Sequence, residues 1–300
     1  QDQITTDLEM MRQQEILLPD APDPQRAYLF RHIITHDVVY DSMPYGTRAR
    51  LHEAFAVYLE QTTHHALPLD LLAYHYERSE NIPKRITYLR QAGEAAQAAY
   101  ANADAIEYYL SLLPLLQEHP AESVQVYLNL GNVTQLLGRW EQAEKYYTTG
   151  LELAEKFGQE AEAVHCQLAV GKLQSQRSSY EAAIVWLERA HRGFERLGHR
   201  RGMSLALAEM GRVYFRQAEH AQATALLEES LALARQLGER ADLALVLKNL
   251  GNGAWRQGQY GRARTLYGES LALYRQIGDK QGIAVLLNNL GNVLDDHGDY

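Results

Sequence analysis

Residues 241–280 read ADLALVLKNLGNGAWRQGQYGRARTLYGESLALYRQIGDK. Gly251 follows an apolar residue, Gly258 stands seven positions later, and Gly278 closes the next run. The same grammar recurs outward from this stretch. Gly131, Gly171, Gly211, Gly251 and Gly291 form a ladder at intervals of 40, and Gly158, Gly198, Gly238 and Gly278 form a second. Each first-ladder glycine is preceded by an apolar residue (Leu130, Val170, Met210, Leu250, Leu290) and followed seven residues later by a turn position: Gly138, Ser178, Ala218, Gly258 and Gly298. Two residues past the turn comes a ring (Trp140, Tyr180, His220, Tyr260, Tyr300). A small residue follows (Ala143, Ala183, Ala223, Ala263), and four later a bulky one (Tyr147, Leu187, Leu227, Tyr267). Repetition at a period of this size is the signature of a stacked array, in which no unit can bury its apolar side alone.

Spacings of three, four and seven put residues on one helical face, so each repeat is predicted to be two helices joined at the turn position. The second-ladder glycine ends the second helix, where a left-handed C′ residue costs glycine least. Lys156, Arg196, Arg235 and Arg275 lie two or three residues before these glycines, where positive charge suits the helix dipole. All eight prolines fall in the first 120 residues, leaving the rest free to be almost continuously helical.

This frame resembles the tetratricopeptide repeat, whose pattern runs W/Y, LG, Y, G, Y, A, Y/F, A, and the resemblance covers residues 121–300, as four complete repeats and a fifth cut at Tyr300. Two departures stand out: the usual proline after the second helix is absent, and the period is 40 rather than about 34. The longer period, with Leu247 to Asn252 and Leu287 to Asn292 reading LxNLGN, resembles the long-helix variant of kinesin light chains and spindle-orientation adaptors. The resemblance implies an all-α fold, a right-handed α-solenoid of antiparallel helix pairs. Residues 67–120 match more weakly, through Gly93, Ala105, Tyr109 and Leu113, and are expected to form atypical hairpins, with Leu71 to Tyr88 a degenerate one.

Residues 1–66 do not repeat, and are expected to be a small helical or winged-helix-like segment. Tyr28 to His32, Asp37, Tyr40, Arg48, Leu51-His52 and Tyr58 to Glu60, continued by Leu72 to Glu77, resemble the close of the ATPase module in STAND-type signal-transduction ATPases. The similarity is greatest to bacterial proteins in which a class III nucleotide cyclase or another output domain precedes an ATPase and a repeat array. It implies an ATPase domain upstream in a parent chain. The sequence opens at Gln1 rather than Met, and a fragment of a longer protein is expected.

The chemistry of catalysis is not legible here. No G-x-x-x-x-G-K-[ST] phosphate loop, H-E-x-x-H helix, G-x-S-x-G elbow or paired-glycine dinucleotide turn occurs, so neither an enzyme nor a cofactor is expected within these residues. A net charge of −9 repels phosphate backbones and disfavours nucleic acid. No apolar run is long enough for a membrane span, and the single cysteine, Cys166, forms no intrachain disulfide, so a cytoplasmic protein is expected. His32, His36 and Asp37 offer too few ligands for a metal and read as structural, with Phe30 to Ile34 strand-like. His64-His65 reads as a solvated helix end, and Cys166 as a packing residue.

Binding capacity is expected on the first helices. With the first-ladder glycine numbered 8, positions 4, 7, 8 and 11 face the second helix, and positions 2, 5, 6, 9 and 13 face the concave side of a coiled stack. The candidate groove residues are Asn129 and Asn132, Lys172, Arg212 and Arg216, Asn249, Asn252 and Arg256, with Asn289 and Asn292; Glu209, Lys248 and Asn288 share the face, and Trp255 at position 12 either borders the groove or is structural. Spaced asparagines offer donor and acceptor to the backbone of an extended peptide, and the cations attract carboxylates. An acidic or C-terminal peptide segment of a protein partner is the expected ligand. The alternative for position 6 is that its amides tie neighbouring helices together. The leading reading is a non-catalytic scaffold or sensor arm of a signalling ATPase; the other is a sensor for a small-molecule inducer. Leu287, Leu290 and Leu294 lack a partner helix in this sequence, so further repeats, or a homodimer through that uncapped end, are expected.

Overall fold

The computed structural model describes residues 2–19, 28–63 and 66–297; His64-His65, Gly298 and Tyr300 lie outside them. The described residues are almost wholly helical, with fifteen α-helices and two short strands. The chain divides into two compact units, Gln1–Ala99 and Tyr100–Tyr300.

The first unit holds α1 (Asp2–Gln13), β1 (Leu17–Pro19), β2 (Tyr28–Phe30), α2 (Ile33–Ser42), α3 (Tyr45–Thr62), α4 (Leu69–Glu77) and α5 (Ile82–Ala98). The two strands pair antiparallel with Leu18 opposite Leu29. The strand-like reading of Phe30 to Ile34 therefore needs correction, because the strand stops at Phe30 and Ile33 begins α2. His32 lies at the boundary, and His36 Nδ1 meets Asp37 Oδ1 at 2.8 Å on α2. Helices α3, α4 and α5 are joined through one carboxylate. Glu60 accepts hydrogen bonds from the hydroxyls of Tyr76 (3.0 Å) and Tyr88 (2.6 Å) and from Lys84 Nζ (2.9 Å). These partners hold its pKa below the usual carboxylate range against the upward push of burial.

Close by, His52 Nδ1 lies 2.8 Å from His75 Nδ1, and the Tyr40 hydroxyl lies 2.8 Å from His52 Nε2. Two imidazole nitrogens can share one proton but not hold two. Burial lowers both histidine pKa values, helped at His52 by Arg78 and Arg48, and at His75 by His52 and Arg78. A lowered folded pKa means that the neutral pair contributes stability above the unfolded value near ~6.5, lost as pH falls through the folded values. Protection factors of α3 and α4 amides are therefore expected to drop several-fold between about pH 7.5 and 5.5, and His75→Asn should abolish the drop. Unchanged protection in the parent chain would refute the shared proton.

The second unit is the repeat array. After α6 (Asn102–Leu112), four helix pairs follow. These are α7 (Ser123–Leu136) with α8 (Trp140–Lys156), and α9 (Glu160–Gln176) with α10 (Tyr180–Arg196). The others are α11 (Arg200–Arg216) with α12 (His220–Leu237), and α13 (Arg240–Arg256) with α14 (Tyr260–Ile277), before α15 (Lys280–His297). Each pair is cut at the turn position by one left-handed residue, with φ of 72° at Gly138, 62° at Ser178, 65° at Ala218 and 71° at Gly258. Each closes as a Schellman motif; at the first, Arg139 N–H reaches the Thr134 carbonyl at 2.9 Å and Gly138 N–H the Gln135 carbonyl at 3.0 Å. Tyr100, seven residues after Gly93, has φ 60° as well, so the frame reaches back to the end of α5.

Close helix contact explains the two residue sizes that recur in each repeat. Ala143, Ala183, Ala223 and Ala263 are fully buried. A Cβ on Gly171 would stand 2.8 Å from the Leu187 side chain, and one on Gly211 2.7 Å from Leu227. The first-ladder glycine is thus the notch that receives the bulky residue of the second helix. Cys166 is buried on α9, and burial followed by the charge of Glu162 pushes its thiol up to about 12, which leaves it protonated and inert.

Candidate functional site

Successive first helices touch: α7 meets α9, α9 meets α11, α11 meets α13 and α13 meets α15. The second helices make no comparable contact with one another. A stack whose first helices crowd together must curve toward them, which places α11, α13 and α15 on the inner face. There the structure forms a half-open cavity of about 340 Å³. Of the ten groove candidates, seven line it: Arg212 and Arg216 from α11, Asn249, Asn252 and Arg256 from α13, and Asn289 and Asn292 from α15. Lys248 joins them. Asn129, Asn132 and Lys172 belong to α7 and α9 and are not part of this cavity.

The amides divide by position. At position 6, Asn129 donates to the Tyr109 hydroxyl at 3.2 Å and accepts from Gln125 at 2.9 Å, tying α7 to α6. Asn249 is 4% exposed, and its Nδ2 has no hydrogen-bond partner among the described residues. Position 9 is anchored from the second helix. The Tyr147 hydroxyl lies 2.9 Å from Asn132 Oδ1, and that of Tyr267 donates to Asn252 Oδ1 at 2.7 Å. Asn252 Oδ1 also accepts from Asn289 Nδ2 at 3.1 Å, linking α13 to α15. Tyrosine at the bulky position therefore sets the orientation of the asparagine at position 9.

The charges divide too. Arg212 is committed to Glu209, with Nε 2.8 Å from Oε2 and a second contact through Nη2. Burial would raise the pKa of Glu209, but Arg212, Lys172 and Lys248 outweigh it and keep the carboxylate ionised. Arg216 donates to the Ser175 carbonyl at 3.1 Å, so it is pinned by α9 without being neutralised. Among the described residues neither Arg216, Lys248 nor Arg256 has an ion pair. Lys248 is held below the usual lysine range by burial and by Arg212, against the opposing fields of Glu209 and Asp279. At Tyr180 a hydrogen bond from Ser178, then Arg216 and Arg256, hold the phenol below its usual range, a second sign of positive potential.

Three lining residues escaped the sequence reading: Phe215, Tyr267 and Val285. Phe215 shares position 12 with Trp255, and Val285 occupies position 2, so the frame held a signal for both. Tyr267 comes from a second helix and carried none. Trp255 also lines the cavity, and its Nε1 donates to Asp296 Oδ2 at 2.7 Å.

No curated protein matches the sequence significantly. Similar solved structures share the fold at low identity. A Rap protein complexed with competence and sporulation factor is 14% identical with a TM-score of 0.61, covering 82% of this chain and 79% of that one. NprR in complex with its cognate peptide NprX is 14% identical with a TM-score of 0.59, over 87% and 75% of the two chains. A STAND protein with a tetratricopeptide repeat sensor from Pyrococcus horikoshii is 12% identical with a TM-score of 0.52; the match covers 94% of this chain but 48% of that one. A tetratricopeptide repeat model matches residues 122–196, 202–276 and 242–300, together more than half of the chain. With its glycine-notched helix pairs and their stacked first helices, the chain belongs to the tetratricopeptide repeat family.

Proposed function

We propose that this chain is a non-catalytic sensor arm that binds an extended peptide segment bearing negative charge along the inner face of α11, α13 and α15. One observation carries the reading: three successive repeats deliver free cations and amides to a single cavity. A peptide laid along the array would present its backbone to Asn252 and Asn292 and its anionic group to Arg216, Lys248 and Arg256. Two proteins of similar fold support it, NprR by its complex with a cognate peptide and a Rap protein by its complex with competence and sporulation factor. In this reading, which the likeness of residues 1–66 to the close of a STAND ATPase module supports, the arm follows an upstream ATPase in a cytoplasmic bacterial signalling protein, and a nucleotide-binding loop in the parent reading frame would establish that context.

A second reading has its own support. A volume of about 340 Å³ suits a small-molecule inducer. Selection of a displayed nonapeptide library on the chain, followed by anisotropy titration of the enriched sequences, separates the two. Asn292 lines the cavity and has no hydrogen-bond partner among the described residues, so Asn292→Ala is expected to weaken binding by about three- to tenfold, the worth of one neutral hydrogen bond, with melting unchanged. Asn252→Ala should weaken it more, because it also releases Tyr267. Affinities that ignore both substitutions would refute the peptide reading, and a library without enrichment would favour the inducer.

A further inference from the structure

Among the described residues, two of the cavities of the array are each lined by three arginines, and they differ in how those charges are balanced. In the cavity beside α8, α9 and α10, Arg189 pairs with Glu155 at 3.3 Å, Arg192 with Glu188 at 3.8 Å, and Arg196 with Glu160 at 2.9 Å. Every cation there has its anion. In the cavity of α11, α13 and α15, Glu209 makes its close ion pair with Arg212, and reaches Lys248 only through its field. Arg216, Lys248 and Arg256 make no ion pair among the described residues, in a chain whose net charge is −9. The buried amide Nδ2 of Asn249, also on the wall, adds a donor that nothing accepts.

A carboxylate brings one charge and two oxygens, too few for this set. A phosphomonoester near neutral pH brings close to two charges and three acceptor oxygens, and arginine and lysine both bind it through charge-assisted hydrogen bonds. Building on the peptide reading, we propose that the cavity between α11, α13 and α15 is a seat for a phosphomonoester dianion, carried by the bound segment as a phosphorylated side chain. Arg216 and Arg256 would each donate to its oxygens, Lys248 would supply the least hydrated charge, and Asn249 Nδ2 would donate to an oxygen at the cavity wall. The desolvation of Lys248 next to Arg212 fits a site that becomes comfortable only when an anion arrives.

The test compares O-phosphoserine with O-sulfoserine, two tetrahedral esters of the same shape with different charge, by NMR titration of the chain in about 50 mM salt, where screening is moderate. O-phosphoserine is expected to bind about tenfold more tightly at pH 7.5. The advantage should shrink below about pH 6, where the second phosphate proton returns; the charged groups that face the seat are Arg212, Arg216, Arg256, Lys248 and Glu209. Lys248→Met and Arg256→Gln should each remove most of the preference; Arg256 is exposed, so the second variant keeps the test alive if the first folds poorly. Equal affinity for the two esters, or a preference that survives both variants, overturns the proposal. Peptide pools with phosphoserine, glutamate or serine at the centre, and adenosine monophosphate, identify the source. A phosphoserine pool that outbinds the nucleotide supports a peptide side chain, and the reverse order supports the dianion seat with a free phosphomonoester. A glutamate pool bound as tightly as the phosphoserine pool overturns the dianion and leaves the peptide reading standing; ester binding with no pool bound does the opposite.

Discussion

Glu209→Ala is expected to destabilise the chain by about 3–5 kcal/mol, the usual cost of leaving one member of a buried ion pair without its partner. Glu209 is 8% exposed on α11 and holds Arg212 on the same helix. Lys172 and Lys248, from the first helices on either side, act on the same carboxylate. Without it, three cations of three successive repeats face one another with no anion between them. Urea denaturation of parent and variant is the measurement. The sign of the pH dependence follows from the lowered folded pKa: the contribution is present above the unfolded value of about 4.3 and disappears as pH falls through the folded value. Parent and variant should therefore converge in acid. A loss below about 1 kcal/mol, the level of a surface ion pair, would show that Glu209 is not the counter-charge of the array.

The same residue marks what the sequence could disclose. The glycine ladders, the alanine and bulky positions and the turn positions are each imposed by one helix on its immediate neighbour, so they repeat and can be read. They predicted helix pairs with breaks at Gly138, Ser178, Ala218 and Gly258, and the left-handed residues sit there. Charge balance does not repeat. Lys172, Arg212, Asn252 and Asn292 share one position of the frame, yet Arg212 is held by Glu209 while Asn252 is held by Tyr267. Which side-chain tips satisfy each other depends on residues forty positions apart or on another helix, and periodicity along one helix cannot report it. In the first unit, β-branched Ile33 and Ile34 beside Phe30 suggested a longer strand, but both open α2 with more than two-thirds of their surface exposed. Local propensity misled there because no burial supported it.

Gly251→Leu is expected to cost about 3 kcal/mol or more, at the upper end of overpacking penalties, even though leucine is the better helix former by close to 1 kcal/mol. A Cβ on Gly251 would lie 2.5 Å from Tyr267 Cε1. The ring cannot retreat, because Tyr267 is 1% exposed and its hydroxyl is fastened to Asn252. The strain must therefore separate α13 from α14 or turn Tyr267 away from Asn252. Both Tyr267 and Asn252 line the cavity, so the substitution should weaken ligand binding as well as lower the melting temperature. The double variant Gly251→Leu with Tyr267→Ala makes the cause testable, because removing the ring creates the room that leucine needs. Its loss should fall well short of the sum of the two single losses, as expected for residues in direct contact. Additive losses would mean that the notch and the ring do not meet, and with them would go the physical link between the repeat frame and the orientation of the asparagines in the groove.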